Sequence, residues 1–205
     1  MAGKPRVGVL ALQGDVREHV RVLQGLGADA RPVRRPDELA GVDGLILPGG
    51  ESSVIDKLAR AFGMREPLCA AIADGLPVFG TCAGLILLAD RIDGGIEGQQ
   101  TFGGLDARVA RNAFGSQTAS FETDLDVPAL GAPLVHAAFI RAPVVVEWGP
   151  DATPLASLPD GRVVAIEQGA LLGTAFHPES TGETRFHARF LDRVRVRSGA
   201  GAPAL

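Results

Sequence analysis

Residues 77–89, PVFGTCAGLILLA, join a short apolar run to a Gly-Thr-Cys-Ala-Gly turn and then to a second apolar run. PVFG reads as a buried strand, and AGLILLA reads as the start of a helix. A sharp strand-to-helix turn of this kind is a nucleophile elbow. It lifts one side chain above the carboxyl end of a sheet. Gly80 and Gly84 let the chain pass closely on either side of Cys82. A thiol there faces free N–H groups at the positive end of a helix, an environment suited to a nucleophile. The backbone N–H of Ala83 is placed to face a developing oxyanion. Cys69, in LCAAIA, has no turn around it and reads as core.

Working outward, the first 90 residues alternate between strand and helix patterns. VGVLAL (7–12) reads as a buried strand, and DVREHVRVLQGLG follows with Val16, Val20 and Leu23 at helical spacing. ADARPVRR reads as a short strand, and GLILPGG (44–50) as a strand ending in a Gly-rich turn. Ser52 or Ser53 is expected to cap the helix VIDKLARAF, and PLCAAIADG reads as a further helix ended by Gly75. Such alternation implies a parallel, doubly wound sheet.

After residue 95 the pattern becomes strand-rich. FGGLDARVARN, TASFETDL, LVHAAFIRAP and VVVEWG read as strands, and residues 161–179 as a hairpin turning near Gly169. TGETRFHARFLDRVRV reads as a closing helix with Phe186, Phe190 and Val194 on one face. The second half is expected to add antiparallel strands to the first-half sheet. The fold class is therefore α/β: three layers, with a mixed, mostly parallel central sheet flanked by helices. Residues 1–197 are expected to form a single domain and 198–205 a flexible tail.

Composition excludes several functions. A formal charge of −4 argues against a general nucleic-acid binder. The apolar runs are too short or too interrupted for a signal peptide or a membrane span, so a cytoplasmic chain with no membrane partner is expected. Two cysteines make no disulfide framework, and no Cys/His cluster has metal-ligand spacing, so no metal and no cofactor is expected.

A thiol nucleophile needs a base, and the base an orienting group. Of the four histidines, His19 reads as a solvated helix residue, His136 as a strand residue, and His187 as part of the final helix beside Phe186. His177 differs: in TAFHPES it ends a strand, and Pro178 closes off further pairing. In extended chain residues 177 and 179 share a face, so Glu179 is expected to fix the imidazole tautomer. The turn LPGGES offers the backbone N–H of Gly50 as a second oxyanion donor beside Ala83. It lacks the Lys-Ser/Thr of a P-loop.

Together these segments resemble the class I glutamine amidotransferases, whose fold is flavodoxin-like. GVLALQGDVREH, LPGGESS, FGTCAGLILLA, RNAFGSQ, FIRAP and FHPE are similar, in order, to one family among them, the glutaminase subunits of pyridoxal 5'-phosphate synthase. The resemblance implies that Cys82 attacks the side-chain amide of L-glutamine, with His177 and Glu179 completing the triad. It implies glutamine contacts at Gly49, Gly50, Glu51, Arg111, Ile140 and Arg141. It also implies a partner, the synthase subunit. That barrel protein forms a large ring and uses the ammonia to build the cofactor from a pentose phosphate and a triose phosphate. The QGD segment would lie near that docking and oxyanion region. Ser53 stands where the family often has threonine, and Ser116 where arginine is expected. The competing readings are a stand-alone cysteine hydrolase on the same fold and a non-catalytic scaffold. An intact Cys82, His177 and Glu179 argues against the latter.

Overall fold

Strand β1 (Arg6–Leu10) leads into α1 (Val16–Gly25), β2 (Asp29–Val33), α2 (Pro36–Leu39), β3 (Gly44–Leu47), α3 (Ser52–Ala61), α4 (Arg65–Ala73), β4 (Val78–Thr81) and α5 (Ala83–Leu88). There follow β5 (Ala89–Asp93), β6 (Leu105–Ala110), β7 (Ser120–Leu125), β8 (Val135–Ile140), β9 (Val144–Trp148), β10 (Thr153–Ser157), β11 (Val163–Gln168), β12 (Leu171–Thr174), α6 (Pro178–Thr181) and α7 (Arg185–Arg197). These elements come from a computed structural model, which describes residues 3–114 and 120–199. Ser116 and residues 200–205 of the expected tail lie outside the described residues.

The main sheet runs β2-β1-β3-β4-β12-β11-β9-β6-β5, with β10 beside β11. Its first five strands are mutually parallel, and β5 pairs parallel with β6. Between these groups β11 pairs antiparallel with both β12 and β9, and β9 pairs antiparallel with β6. The sheet is thus mixed and mostly parallel. Helices cover both faces. On β4, Phe79 meets Phe186, His187 and Phe190 of α7 and His19 of α1. The next residue, Gly80, faces the other way, against Gly84 of α5. Phe186, Phe190 and Val194 are fully buried, as the four-residue spacing requires.

Four expectations need correction. TASFETDL and LVHAAFIRAP do not join the main sheet. They form β7 and β8, a separate antiparallel pair. Phe121 and Phe139 stack within that pair at 4.6 Å, and Phe139 meets Phe176 just past β12, so aromatic packing docks the pair on the sheet's end. The helix after Cys82 stops at Leu88, and the chain turns directly into β5. Every residue of α5 is buried, so no amphipathic period marks its end. Ser52 and Ser53 lie inside α3, and Glu51 caps it by accepting the Ser53 N–H at 3.2 Å. Finally, His19 is fully buried. It completes the stripe of Val16, Val20 and Leu23 on α1, at the spacing that faces the sheet.

Among the described residues no helix is long and apolar enough to cross a membrane. Cys69 is half-buried against the core's edge.

Burial holds His187 low, at about 4, with a weak opposing pull from Glu183. An unfolded chain takes up a proton near 6.5, so the unfolded state binds more protons between those values. Stability therefore falls as pH drops from 7 towards 4, by about 2 kcal/mol at pH 5 from this group. Urea unfolding of the wild type and of His187→Phe at pH 7 and pH 5 checks this. The variant should lose about 2 kcal/mol less than the wild type over that interval. Equal losses would show that His187 does not carry the acid sensitivity.

Candidate active site

Cys82 caps α5 with φ 48° and ψ −101°. A left-handed backbone costs a non-glycine residue about 1–2 kcal/mol, so the surroundings must impose it. They do so from both sides. The Cys82 N–H donates to the Thr174 carbonyl of β12 at 2.8 Å, and the Ile86 N–H donates to the Cys82 carbonyl at 3.2 Å. A side chain at Gly80 would collide with the Gly84 backbone, and one at Gly84 with the Leu47 carbonyl. The elbow is tight because two glycines let strand, helix and the neighbouring strand touch.

Strand pairing brings the imidazole to the thiol. β12 runs parallel to β4 with Thr174 beside Thr81. The chain leaving β12 therefore passes Cys82 and, two residues beyond, brings His177 into the same cavity. His177 Nδ1 lies 2.8 Å from Glu179 Oε1. The two do not share a face of extended chain as the sequence suggested. Pro178 opens the short helix α6, His177 caps it, and Glu179 lies in its first turn. The second carboxylate at this nitrogen is Asp15, with Oδ2 at 3.4 Å. Burial alone would lower His177, but hydrogen bonds with Asp15, Cys82 and Glu179 outweigh it and push it up to about 12. Burial also pushes the Glu179 carboxyl up, against the pull of His177. With Nδ1 engaged by carboxylates, Nε2 is the nitrogen left for the thiol.

The Gly49–Gly50 turn is clamped between this imidazole and the loop after β1. The Asp15 N–H donates to the Gly49 carbonyl at 3.2 Å, and the Glu51 N–H donates to Gln13 Oε1 at 2.7 Å. Gly14, at φ 108°, lies so close to the Gly49 carbonyl that no side chain fits between them. A side chain at Gly49 would overlap the His177 ring, and one at Gly50 would overlap Gln13. Beyond the turn, Arg111 forms a fork. Its Nη2 donates to Glu51 Oε1 and its Nη1 to Gln99 Oε1, both at 2.7 Å.

A cavity of about 690 Å³ joins these parts. Cys82, Ala83, His177, Gly50, Glu51 and Arg111 line it, and Ile140 and Arg141 reach it from the end of β8. Glu179 lies behind His177, and Gly49 packs against the imidazole, outside the lining. Among the described residues the non-glycine positions with positive φ are Cys82, Asn112 and Arg141, and all three line this cavity. Backbone strain is thus concentrated at the site. The resemblance put the QGD segment near the oxyanion region but gave Asp15 no place at the imidazole. Gln99 and Asn112 were not read as neighbours of the centre, since Gln99 reaches Ser52 and Arg111 across the chain and no local spacing announces either residue.

Residues 9–196 match the SNO glutamine amidotransferase family. The chain is 71% identical over 190 residues to "Pyridoxal 5'-phosphate synthase subunit PdxT" of Clavibacter sepedonicus, covering 93% of this chain and 91% of that one. It is 68% identical over 197 residues to the protein of the same name from Leifsonia xyli subsp. xyli, covering 96% and 100%. Among solved structures, "Crystal structure of glutamine amidotransferase" superposes with a TM-score of 0.85 at 48% identity, over 92% of this chain and 98% of that one. A putative GMP synthase component from Thermoplasma acidophilum shares the fold, with a TM-score of 0.70 at 20% identity over 98% of each chain.

The two cysteines should differ in reactivity. Iodoacetamide followed by peptide mass spectrometry should modify Cys82 well before Cys69. His177→Gln should slow the Cys82 reaction by about tenfold while leaving Cys69 unchanged. Faster modification of Cys69, or no response at Cys82, would detach the thiol from the imidazole.

Proposed function

The chain belongs to the SNO glutamine amidotransferase family, and from that premise we infer that it is the glutaminase subunit of a pyridoxal 5'-phosphate synthase. It hydrolyses L-glutamine to L-glutamate and ammonia. The observation that carries this reading is Cys82 in a strained elbow, beside an imidazole whose far nitrogen is held by a buried carboxylate at 2.8 Å.

In this reading Cys82 Sγ, its proton already held on His177 Nε2, attacks the side-chain amide carbon. The oxyanion that forms is met by the N–H groups of Gly50 and Ala83. Each such donor contributes about 2.7–4 kcal/mol in the transition state. The imidazolium then protonates the departing nitrogen, and ammonia leaves a γ-glutamyl thioester. Water, deprotonated by His177, attacks the thioester and releases glutamate. Glu179 holds the imidazole in one tautomer throughout and stabilises its charged form. Arg111 offers a planar fork to the α-carboxylate of glutamine, and Glu51 offers a carboxylate to its α-ammonium group. Gly49 and Gly50 give backbone room, and Ile140 and Arg141 close the far side.

The ammonia goes to the synthase subunit. That barrel protein, assembled in a ring, makes pyridoxal 5'-phosphate from a pentose phosphate and a triose phosphate. Pyridoxal phosphate is the product of the complex. This chain needs no cofactor of its own and works in the cytoplasm. The Gly49 carbonyl is tied to the Asp15 N–H, so a partner pressing on residues 13–15 reaches the Gly49–Gly50 peptide directly. Docking there sets the Gly50 N–H for the oxyanion. The stand-alone hydrolase reading is not favoured, because it leaves the relation to these synthase subunits without a purpose.

Glutamate release with and without the synthase subunit tests the reading. Adding the partner should raise kcat far more than it changes KM, because an oxyanion contact is made in the transition state. Cys82→Ala should abolish release, by at least about a thousandfold, while Cys69→Ala retains it. A free chain as fast as the complex would return the stand-alone hydrolase. Turnover by a folded Cys82→Ala chain would remove the thiol from the mechanism.

A further inference from the structure

Behind the triad lies a buried polar chain that takes no direct part in the steps described above. His19 Nδ1 stands 2.9 Å from His187 Nε2. His19 Nε2 stands 3.2 Å from Thr81 Oγ1 and 3.5 Å from Glu179 Oε1. His19, His187 and Thr81 are fully buried, and the Glu179 side chain is 1% exposed. One ring of α1 thus touches the last residue before the nucleophile and the carboxylate that holds the base.

The direction of the hydrogen bonds follows from their ends. Both imidazoles are neutral: burial drives His19 well below its usual value, His187 and His177 push the same way, and His187 is also held low. Each ring therefore carries one N–H. Among the described residues His187 Nδ1 has no partner. A buried N–H without an acceptor is costly, whereas a spare imidazole lone pair is the lesser loss. His187 accordingly keeps its proton on Nε2 and donates to His19 Nδ1. His19 must then carry its own proton on Nε2, facing Thr81 and Glu179. The reverse order would leave one N–H stranded and set a lone pair against a carboxylate oxygen, two penalties at once.

The geometry points to His19 as a positioning residue for the glutaminase reaction: its Nε2–H, fixed in place by His187 and hydrogen-bonded to Thr81 on the nucleophile strand, also sets its positive edge beside Glu179 Oε1. Glu179 Oε1 is then hydrogen-bonded to His177 at 2.8 Å, while the His19 Nε2–H, hydrogen-bonded to Thr81 Oγ1 at 3.2 Å, lies 3.5 Å from the same oxygen as a polar contact. Oε2 has no partner among the described residues, so Oε1 carries the anchoring. This neutral N–H adds no charge, which suits a carboxylate whose task is to stabilise an imidazolium. The groups facing Glu179 are His177, Asp15 and His19, and those facing His187 are His19 and Glu183. This inference rests on the glutaminase reading.

The test has a spectroscopic arm and a kinetic arm. In 15N-labelled wild type, NMR should find His19 and His187 both protonated on Nε2 and unprotonated on Nδ1 at pH 7. A proton on His19 Nδ1 would overturn the proposal, and this result needs neither a variant nor any activity. In the complex with the synthase subunit, His19→Leu should lower kcat about tenfold with KM unchanged. The acid limb of its pH profile should move up, because Glu179 without the His19 N–H dipole beside it protonates more readily. His19→Gln, whose amide can donate from near the same place, should restore most of kcat and the wild-type limb. Equal losses in Leu and Gln variants, or an unmoved acid limb, would reduce His19 to packing. Should Cys82→Ala stay active, the glutaminase reading itself fails. Should Cys82 prove essential and His19→Leu be indistinguishable from wild type, this inference alone fails.

Discussion

The hydrogen bond between His177 Nδ1 and Glu179 Oε1 governs the rest of the site. It commits one imidazole nitrogen to a buried carboxylate and so gives the other to the thiol. The fold supplies it at low conformational cost. Pro178 fixes the first turn of α6, which places Glu179 beside its own helix cap. The parallel pairing of β12 with β4 then delivers the pair to Cys82. A carboxylate buried this deeply is expensive unless it is engaged, and its engagement with His177 ties folding and chemistry to one contact.

Around that contact the backbone is constrained to close tolerances. Gly14, Gly49, Gly80 and Gly84 all occupy places where a methyl group would overlap backbone or the imidazole. Cys82, Asn112 and Arg141 carry left-handed backbone in the same cavity. These features come from different parts of the sheet's carboxyl edge, where open α/β sheets gather their binding loops. The Gly49–Gly50 turn is the point of exchange. One side touches the imidazole, and the other is hydrogen-bonded to residues 13–15. In the proposed reading, that position makes it the route by which a docked synthase subunit reaches the chemistry.

Much of this was legible in the chain. The elbow announced itself through Gly80, Cys82 and Gly84 between two apolar runs, and the turn of the β11–β12 hairpin through Gly169. α7 was readable from Phe186, Phe190 and Val194. β5 was not, because α5 is buried on every side and offers no period to break. β7 and β8 were visible as strands but not as a separate pair, since which sheet a strand joins depends on distant aromatic contacts. Resemblance alone put the QGD segment near the site, while the contact of Asp15 with the imidazole and of Gln99 with Arg111 depends on long-range packing that no local pattern encodes. His19 is the instructive miss. Its charged neighbours suggested solvent, yet its spacing with Val16, Val20 and Leu23 put it on the buried stripe.

The central claim is that Cys82 forms a covalent intermediate with glutamine while His177, held by Glu179, moves the protons. Its most direct test is to mix the complex with glutamine, quench in acid within one turnover, and analyse the peptides by mass spectrometry. The account predicts a γ-glutamyl adduct on the peptide containing Cys82 that accumulates and then decays at the rate of glutamate release. Turnover with no adduct at any time, or an adduct on another residue, would contradict it.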